Sequence, residues 1–552
     1  MHRRFAHALL FALTASSLAV AHDGDAKVVD PRERWGGPAY RRDFDGDNHF
    51  AATSFPAIGI QLQSWLPLST FATVINNANS GWGYVSPSGR EYAFIGLSVG
   101  TGVVEVTNPG AAQLLTVIPG PTSIWRDIRT YQQYAYAVSE GGNGIQVLDL
   151  SQIDNGTVTH VNTITTGGAA QTHTVCIDTA SGFLYRSGGS GNGLRIYSLA
   201  NPVNPTLVAS WNNKYVHEVS VFTYTSGPYA GKQIAFCCDG FNGGWTNTGL
   251  DILDVTNKSN IKVLGSTTWA NAGYSHQAWP SSDFKYLYVN DEKDEQDFGL
   301  PSTTIVIDIQ NLAAPQVLNT FSNGNSAIGH NLYTNGKWLF EANYRSGLRV
   351  FNTEFSQTFP LEYYSFDTVP SGDEPTFSGL WNVYPYLPSG TILGFDIDKG
   401  LFVWTMAGLP GPSTYCTAKP NSQGCVPTIS FTGRPAWLSP LEFWIDASNV
   451  LNKKWGLFFY GLAPANAPFH GGTLCMSAPI KRTTLQNSGG SSSGTDCTGT
   501  FAFEFNAYLQ SFADPALDVG TFVYGQYWSR DPSDPSGFTD SLSNAIKFSV
   551  EF

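Results

Sequence analysis

From Ile58 to about Ala407 the chain is a succession of short apolar runs separated by Gly, Asn, Asp and Pro. Runs such as Tyr92-Ala93-Phe94-Ile95-Gly96, Tyr134-Ala135-Tyr136-Ala137-Val138 and Thr304-Ile305-Val306-Ile307-Asp308-Ile309 are strand-length and rich in β-branched and aromatic residues. They predict buried strands. Ile58-Gly59-Ile60-Gln61-Leu62-Gln63 alternates, as a half-buried strand does. No long stripe of period 3.6 appears, so the chain reads as all-β.

The runs recur as a unit: an opening strand, a hairpin, a second strand rich in Tyr, Ala and Val, a Gly-rich corner, and a strand ending in Asp before a turn. Seven units follow one another at roughly 43 to 59 residues, which predicts a seven-bladed β-propeller over residues 58–407. The seventh unit runs out near Ala407. The alternating strand at Ile58 is expected to complete its sheet and close the ring.

Beyond Gly408 the pattern changes. Residues 408–428 are rich in Pro, Ser and Gly and read as a linker. Residues 429–552 carry separate strand patterns, among them Trp455-Gly456-Leu457-Phe458-Phe459-Tyr460 and Thr521 to Trp528, and predict a β-sandwich. Residues 1–21 have a basic start (His2, Arg3, Arg4), an apolar stretch and Ala19-Val20-Ala21, the layout of a cleaved signal peptide. Residues 22–57 read as irregular, with a solvated acidic loop at Asp43-Phe44-Asp45-Gly46-Asp47-Asn48.

Composition then narrows the function classes. The net charge is −13 with only 13% charged residues, and no basic patch offers a nucleic-acid surface. No later apolar stretch is long enough for a membrane helix. Seven cysteines suit an oxidising compartment, so the protein is expected to be secreted or periplasmic, with an extracellular ligand or cell-surface component as partner. Cys416 with Cys425, and Cys475 with Cys497, bracket short polar loops and are expected to pair.

The candidate chemistry lies in the unit openings. Thr172-His173-Thr174, Val216-His217-Glu218, Ser275-His276-Gln277 and Gly329-His330-Asn331 each begin a unit, roughly 50 residues apart. Aligned, the openings give a column of Gly83, Arg126, His173, His217, His276, His330 and Trp381. A second column holds Tyr84, Asp127, Thr174, Glu218, Gln277, Asn331 and Asn382. Opening strands line a propeller's channel, so the four imidazoles converge at one mouth.

A hairpin returns the end of the second strand to the start of the first. Glu140, Asp239, Asp291, Glu292, Glu341 and Asp396 are therefore expected on the same side. Imidazoles beside carboxylates suit a divalent transition metal: iron, zinc, copper or manganese. The expected ligands are His173, His217, His276 and His330. Arg126, Asp127, Glu218, Asp239, Asp291, Glu292, Glu341 and Trp381 form the surrounding pocket. A recurring His is also what a structural repeat leaves behind.

Trp125-Arg126-Asp127-Ile128, Gly273-Tyr274-Ser275-His276-Gln277, Asp291-Glu292-Lys293-Asp294-Glu295-Gln296, His330-Asn331-Leu332-Tyr333 and Trp381-Asn382-Val383-Tyr384-Pro385 resemble the choice-of-anchor B family, exported bacterial proteins of LVIVD-type propeller repeats. The tail resembles a secreted module of planctomycete-like bacteria. The resemblance implies a propeller and an exported location, and it brings no assigned reaction. Two functions remain open: a binding or scaffold protein using the channel mouth, or a metal-dependent enzyme, oxygenase- or hydrolase-like. For the latter, four axial imidazoles on a propeller resemble, by analogy, the iron site of carotenoid-cleaving oxygenases.

Overall fold

Strands whose residues are apolar on both faces must be covered on both faces, and stacking sheets around a centre achieves this. The computed structural model describes residues 37–45, 55–72, 75–168, 170–189, 193–240, 248–354, 356–407, 411–436, 442–517 and 521–550. The expected signal peptide, and Gly46 to Asn48 of the acidic loop, lie outside them. Two compact units result: one mainly 62–405, the other mainly 406–552.

In the first unit, four-stranded antiparallel sheets follow in chain order. They open with Ala78–Val85, Arg126–Tyr131, Thr174–Asp178, Glu218–Thr223 and Ser275–Pro280. Two further sheets open with Asn331–Asn335 and Leu380–Tyr384. Each opening strand neighbours the next, and Leu380–Tyr384 lies against Ala78–Val85, so the circuit closes. This is a β-propeller. Burial follows the same plan: Glu91–Leu97, a second strand, is buried throughout, while the outer strand Thr159–Ile164 is mostly exposed.

The sheet of Leu380–Tyr384, Ile392–Asp396 and Gly400–Met406 takes its next strand, Ile60–Leu66, from the start of the chain. Trp65 stacks on Phe402 at 5.4 Å and donates through Nε1 to the carbonyl of Lys399. Gln63 donates to Thr405 Oγ1 at 2.8 Å. Tyr40–Arg41 pairs beyond it with Trp65 and Ser64, and Tyr40 is fully buried, so this stretch is not irregular. Arg42–Asp45 forms a single helical turn, with Asp43 accepting from Asn108.

In the second unit, one sheet runs Ser413–Tyr415, Asp540–Ser549, Phe522–Arg530, Trp455–Gly461 and Lys481–Arg482. A three-stranded sheet is made of Thr428–Thr432, Trp444–Val450 and Gly499–Glu504. Phe443, Ile445, Phe501, Phe458, Tyr527 and Phe548, from both sheets, share one core. The disulfides join Cys416 to Cys475 and Cys425 to Cys497, not the neighbours expected from the sequence. The reason is that residues 411–428 are not a free linker. Ser413–Tyr415 is an edge strand against Ala545 to Lys547, and Asn421 donates to the carbonyl of Asn449, which carries each cysteine to a distant partner. Cys176, Cys237 and Cys238 are buried and unbridged.

Candidate metal centre

The channel is built of stacked rings of side chains, one from each opening strand. At one end of it the four imidazoles of His173, His217, His276 and His330 follow one another as tilted rings, with successive ring centroids 4.3, 4.5 and 4.0 Å apart. All are at most 5% exposed. The Trp381 ring meets His330 at 5.2 Å.

Each ring is held by its Nδ1. His173 donates to Glu140 Oε1 at 2.5 Å. His217 meets the Tyr274 hydroxyl at 2.8 Å. His276 donates to the carbonyl of His330 at 3.1 Å, and His330 to the carbonyl of Trp381 at 2.6 Å. A carbonyl only accepts, so His276 and His330 each carry a proton on Nδ1, which leaves Nε2 as the ring atom that can take an ion. Those two Nε2 atoms face one carboxylate: His330 Nε2 lies 3.2 Å from Glu292 Oε1, and His276 Nε2 lies 3.8 Å from Glu292 Oε2. Tyr344 donates to Glu292 Oε1 at 2.9 Å.

Ligand atoms of His217, His276 and Glu292 all lie within 4.8 Å of one another. An ion with tetrahedral bonds of about 2.1 Å holds its ligands about 3.4 Å apart; within this trio His276 Nε2 and Glu292 Oε2 are 3.8 Å apart, and His330 Nε2 stands 3.2 Å from the other Glu292 oxygen. Fixing imidazoles through Nδ1 to carbonyls and carboxylates is how proteins orient metal-binding rings. The donor set therefore fits a divalent transition metal.

Behind the imidazoles comes a polar ring: Ser80, Asp127, Thr174, Glu218, Gln277, Asn331 and Asn382. Ser80 donates to Asp127 Oδ1, Asn382 to Ser80, Asn331 to Asn382, and Gln277 to Glu218. Ser80, not Tyr84, fills the first unit's place: it bonds to both Asp127 and Asn382 of the ring, and Tyr84 stands further along the same strand. Gly83 is correspondingly displaced from the mouth, and a Cβ on it would strike the Tyr384 ring.

Two residues further along each strand lies the next ring, which includes Trp82, Arg129, Trp279, Tyr333 and Tyr384. Trp82 meets Tyr384 at 4.7 Å, and Trp279 meets Tyr333 at 4.8 Å. The Arg129 guanidinium lies 4.1 Å over Trp82 and bonds to Asp127 Oδ1 at 2.5 Å, with Glu218 Oε1 at 4.0 Å. Burial works against its charge, but Asp127 first, then Tyr333 and Glu218, hold it above the ordinary range.

Replacing Arg129 with Met should destabilise the propeller by about 3–5 kcal/mol, since Asp127 then stays buried without its cation. Denaturant unfolding reads this directly. A change under about 1 kcal/mol would show that the pair contributes nothing net.

Burial raises the Glu218 carboxyl to about 7, with Asp127 and Glu292 adding and Arg129 opposing. The folded chain then keeps a proton that the unfolded chain releases near 4.5. Stability from this group is complete at low pH and falls as pH rises from about 4.5 to 7, on the order of 3 kcal/mol. Unfolding midpoints at both ends of that window should converge in Glu218→Gln. An unchanged pH slope in that variant would assign the dependence to other groups.

The remaining expected pocket residues divide. Glu140 and Glu292 join the imidazoles. Arg126 reaches away, donating to the carbonyls of Leu97 and Pro121, and burial lowers its pKa to about 10. Asp291 is fully buried but accepts from the backbone of Gly273, Tyr274 and Lys293, so it shapes the turn before His276. Glu341 accepts from Thr304 and Asn343. Asp396 accepts from the backbone of Asp398 and Lys399.

Asp239 is not in this pocket. It pairs with Lys214 at 3.3 Å beside Asp251, and burial, then Asp251, raise it to about 8. The pairing holds it at a separate surface cleft lined by Lys214, Ser266 and Trp269.

No protein-family model matches the sequence, and no curated protein matches it. Solved structures are similar in fold. Kuenenia stuttgartiensis hydrazine synthase is 12% identical, with 61% of this chain and 98% of that chain covered at a TM-score of 0.44. Pseudomonas aeruginosa periplasmic gluconolactonase PpgL is 13% identical over 54% and 86%, with a TM-score of 0.40. The β-propeller domain of Myceliophteria thermophila Cps50 (Swd1) is 10% identical over 60% and 98%, with a TM-score of 0.41. At these identities the likeness concerns the fold alone.

Proposed function

We propose that the chain is an exported, seven-bladed propeller protein of the choice-of-anchor B kind. It binds its ligand through a divalent transition metal at the channel mouth, and it carries a C-terminal β-sandwich as a spacing or binding module. The ion's ligands are His217, His276, His330 and Glu292, with His173 completing the imidazole row. The observation that carries this reading is that two neighbouring imidazoles, each fixed through Nδ1 on a backbone carbonyl, turn Nε2 to the same buried carboxylate.

A bound ion would supply a Lewis-acid point for an anionic or carbonyl ligand. The cavity beside the imidazoles has a volume of about 10 Å³, room for a single ion or water, so a larger ligand would reach the ion only from outside it. Export is supported by the two disulfides and by the expected signal peptide. Among the described residues no helix is long and apolar enough to cross a membrane.

Metal analysis tests the proposal. Purified full-length protein, offered iron, zinc, copper and manganese separately, should retain about one equivalent of one of them after desalting. Retention of none overturns the reading.

A further inference from the structure

The cleft that holds Asp239 lies apart from the imidazole centre, at one end of a single sheet. Asp239 closes the strand Gln233–Asp239, Gly249 opens Gly249–Asp254, and Thr267 closes Lys262–Thr267. Gly249 pairs with Asp239, and Thr267 pairs with Leu250, so these ends stand side by side. The short helix Asp294–Phe298, which belongs to the next sheet's chain segment, borders the cleft with Phe298. The cleft volume is about 650 Å³, within the range of small-molecule sites.

Three charged groups meet here at one nitrogen. Lys214 Nζ lies 3.3 Å from Asp239 Oδ2 and 3.0 Å from Asp251 Oδ1. The Asp239 and Asp251 side chains are 3% and 2% exposed, whereas that of Lys214 is 34% exposed. One ammonium group therefore serves two buried acids. Asp251 also accepts from the Ser266 hydroxyl. Asp239 Oδ1 meets no donor among the described residues. Two carboxylates that share one cation leave a charge unmatched, and a buried acceptor without a donor costs about 1–3 kcal/mol. The Asp239 carboxyl accordingly keeps a proton up to about 8, through burial first and then Asp251. A proton is one way to fill the gap. A second ammonium group is another.

The rest of the cleft favours the second. Trp269 and Phe298 both line it. The Trp269 ring is fixed by its Nε1, which donates to Asp291 Oδ2 at 3.2 Å, and Phe298 is 49% exposed. Aromatic faces attract cations, and the methylenes of a long ammonium chain cover apolar surface. A metal ion fits less well, because Lys214 Nζ already stands where an ion would have to bridge the two carboxylates. An anion would meet two acids.

We propose that this cleft binds a protonated alkyl amine, whose ammonium group joins Lys214 at the Asp239–Asp251 pair while its carbon chain lies along Trp269 and Phe298. A free amine and a lysine side chain of another protein share that chemistry. Ligand-observed NMR on the full-length protein, in about 0.15 M salt, tests it. The probes are 1-aminopentane, a glycine–lysine–glycine tripeptide blocked at both ends, and 1-pentanol as the uncharged control. At least one amine should bind with a dissociation constant below about 10 mM, and 1-pentanol at least about tenfold more weakly. Tighter binding of the tripeptide assigns the cleft to lysine side chains, and tighter binding of 1-aminopentane assigns it to free amines. Both results agree with the proposal.

Asp239→Asn keeps the side-chain shape and removes the charge, so affinity should fall about tenfold or more. Phe298→Ala, at an exposed position, should lower it about two- to fivefold. No saturable binding of either amine up to about 10 mM overturns the proposal, and so does equal binding of 1-pentanol. Unchanged affinity in Asp239→Asn that folds by circular dichroism overturns it too. Should that variant not fold, Phe298→Ala decides, and unchanged affinity there refutes the site.

Discussion

Replacing His276 and His330 together with alanine should abolish metal retention, from about one equivalent per chain to less than about a tenth. These two rings present Nε2 to Glu292, so the variant removes two ligands and leaves the carboxylate with Tyr344 alone among the contacts described above. A milder change gives a graded effect. Tyr344→Phe removes only the hydroxyl that orients Glu292, and a lost orienting bond of this kind weakens metal binding about 10- to 100-fold. The two variants together distinguish ligation from general disruption: the double variant should be metal-free, while Tyr344→Phe should bind the same number of ions more weakly. Elemental analysis after dialysis, with circular dichroism to establish that the sheets remain, reads both. Undiminished metal in a folded double variant would mean that the ion sits elsewhere.

The second large effect concerns the cross-links of the C-terminal unit. Cys416–Cys475 and Cys425–Cys497 close loops with sequence separations of 59 and 72, and the two loops interleave. Loops of this length restrict the unfolded chain by about 4 kcal/mol each in the chain-entropy account. The paired substitution Cys425→Ser/Cys497→Ser should therefore lower the stability of this unit by about 4 kcal/mol and bring its unfolding well below that of the propeller. Calorimetry should show the two transitions move apart, and non-reducing peptide mapping should recover Cys416 joined to Cys475. A map joining Cys416 to Cys425 would refute the long-range pairing, and a loss under about 1 kcal/mol would refute the stability argument.

The imidazole row was legible because a repeat writes the same residue at the same place in successive units. Alignment alone brought His173, His217, His276 and His330 together, and the hairpin argument added Glu140 and Glu292. What the alignment lost has local causes. The first unit carries no His to anchor its alignment, and its place in the polar ring falls at Ser80, ahead of Gly83 and Tyr84.

Arg126 has the right position but a long side chain that finds two carbonyls outside the row. Asp239 stands at a strand end like Glu292, yet Lys214 holds it at another cleft. Arg129 lies two residues after Asp127 and so faces the same way, a period-two signal present in the sequence. Tyr274 and Tyr344 precede or follow their units by irregular spacings, and nothing local marks them. The disulfide partners depend on which strands the cysteine-bearing segment lies beside, which the sequence does not determine.

The strand Ile60–Leu66 fixes an order of events as well as a shape. Its bonds span more than 330 residues, from Trp65 to Lys399 and from Gln63 to Thr405. Contacts between such distant positions are slow to form, because a long loop must close before any bond rewards it. This strand must therefore wait, without its partner Gly400–Met406, until the last sheet of the ring has been made. Until then two sheet edges stay open to other chains. A nascent chain that ends before Lys399 is accordingly a sticky, aggregation-prone species, and the ring becomes safe only when its two ends meet.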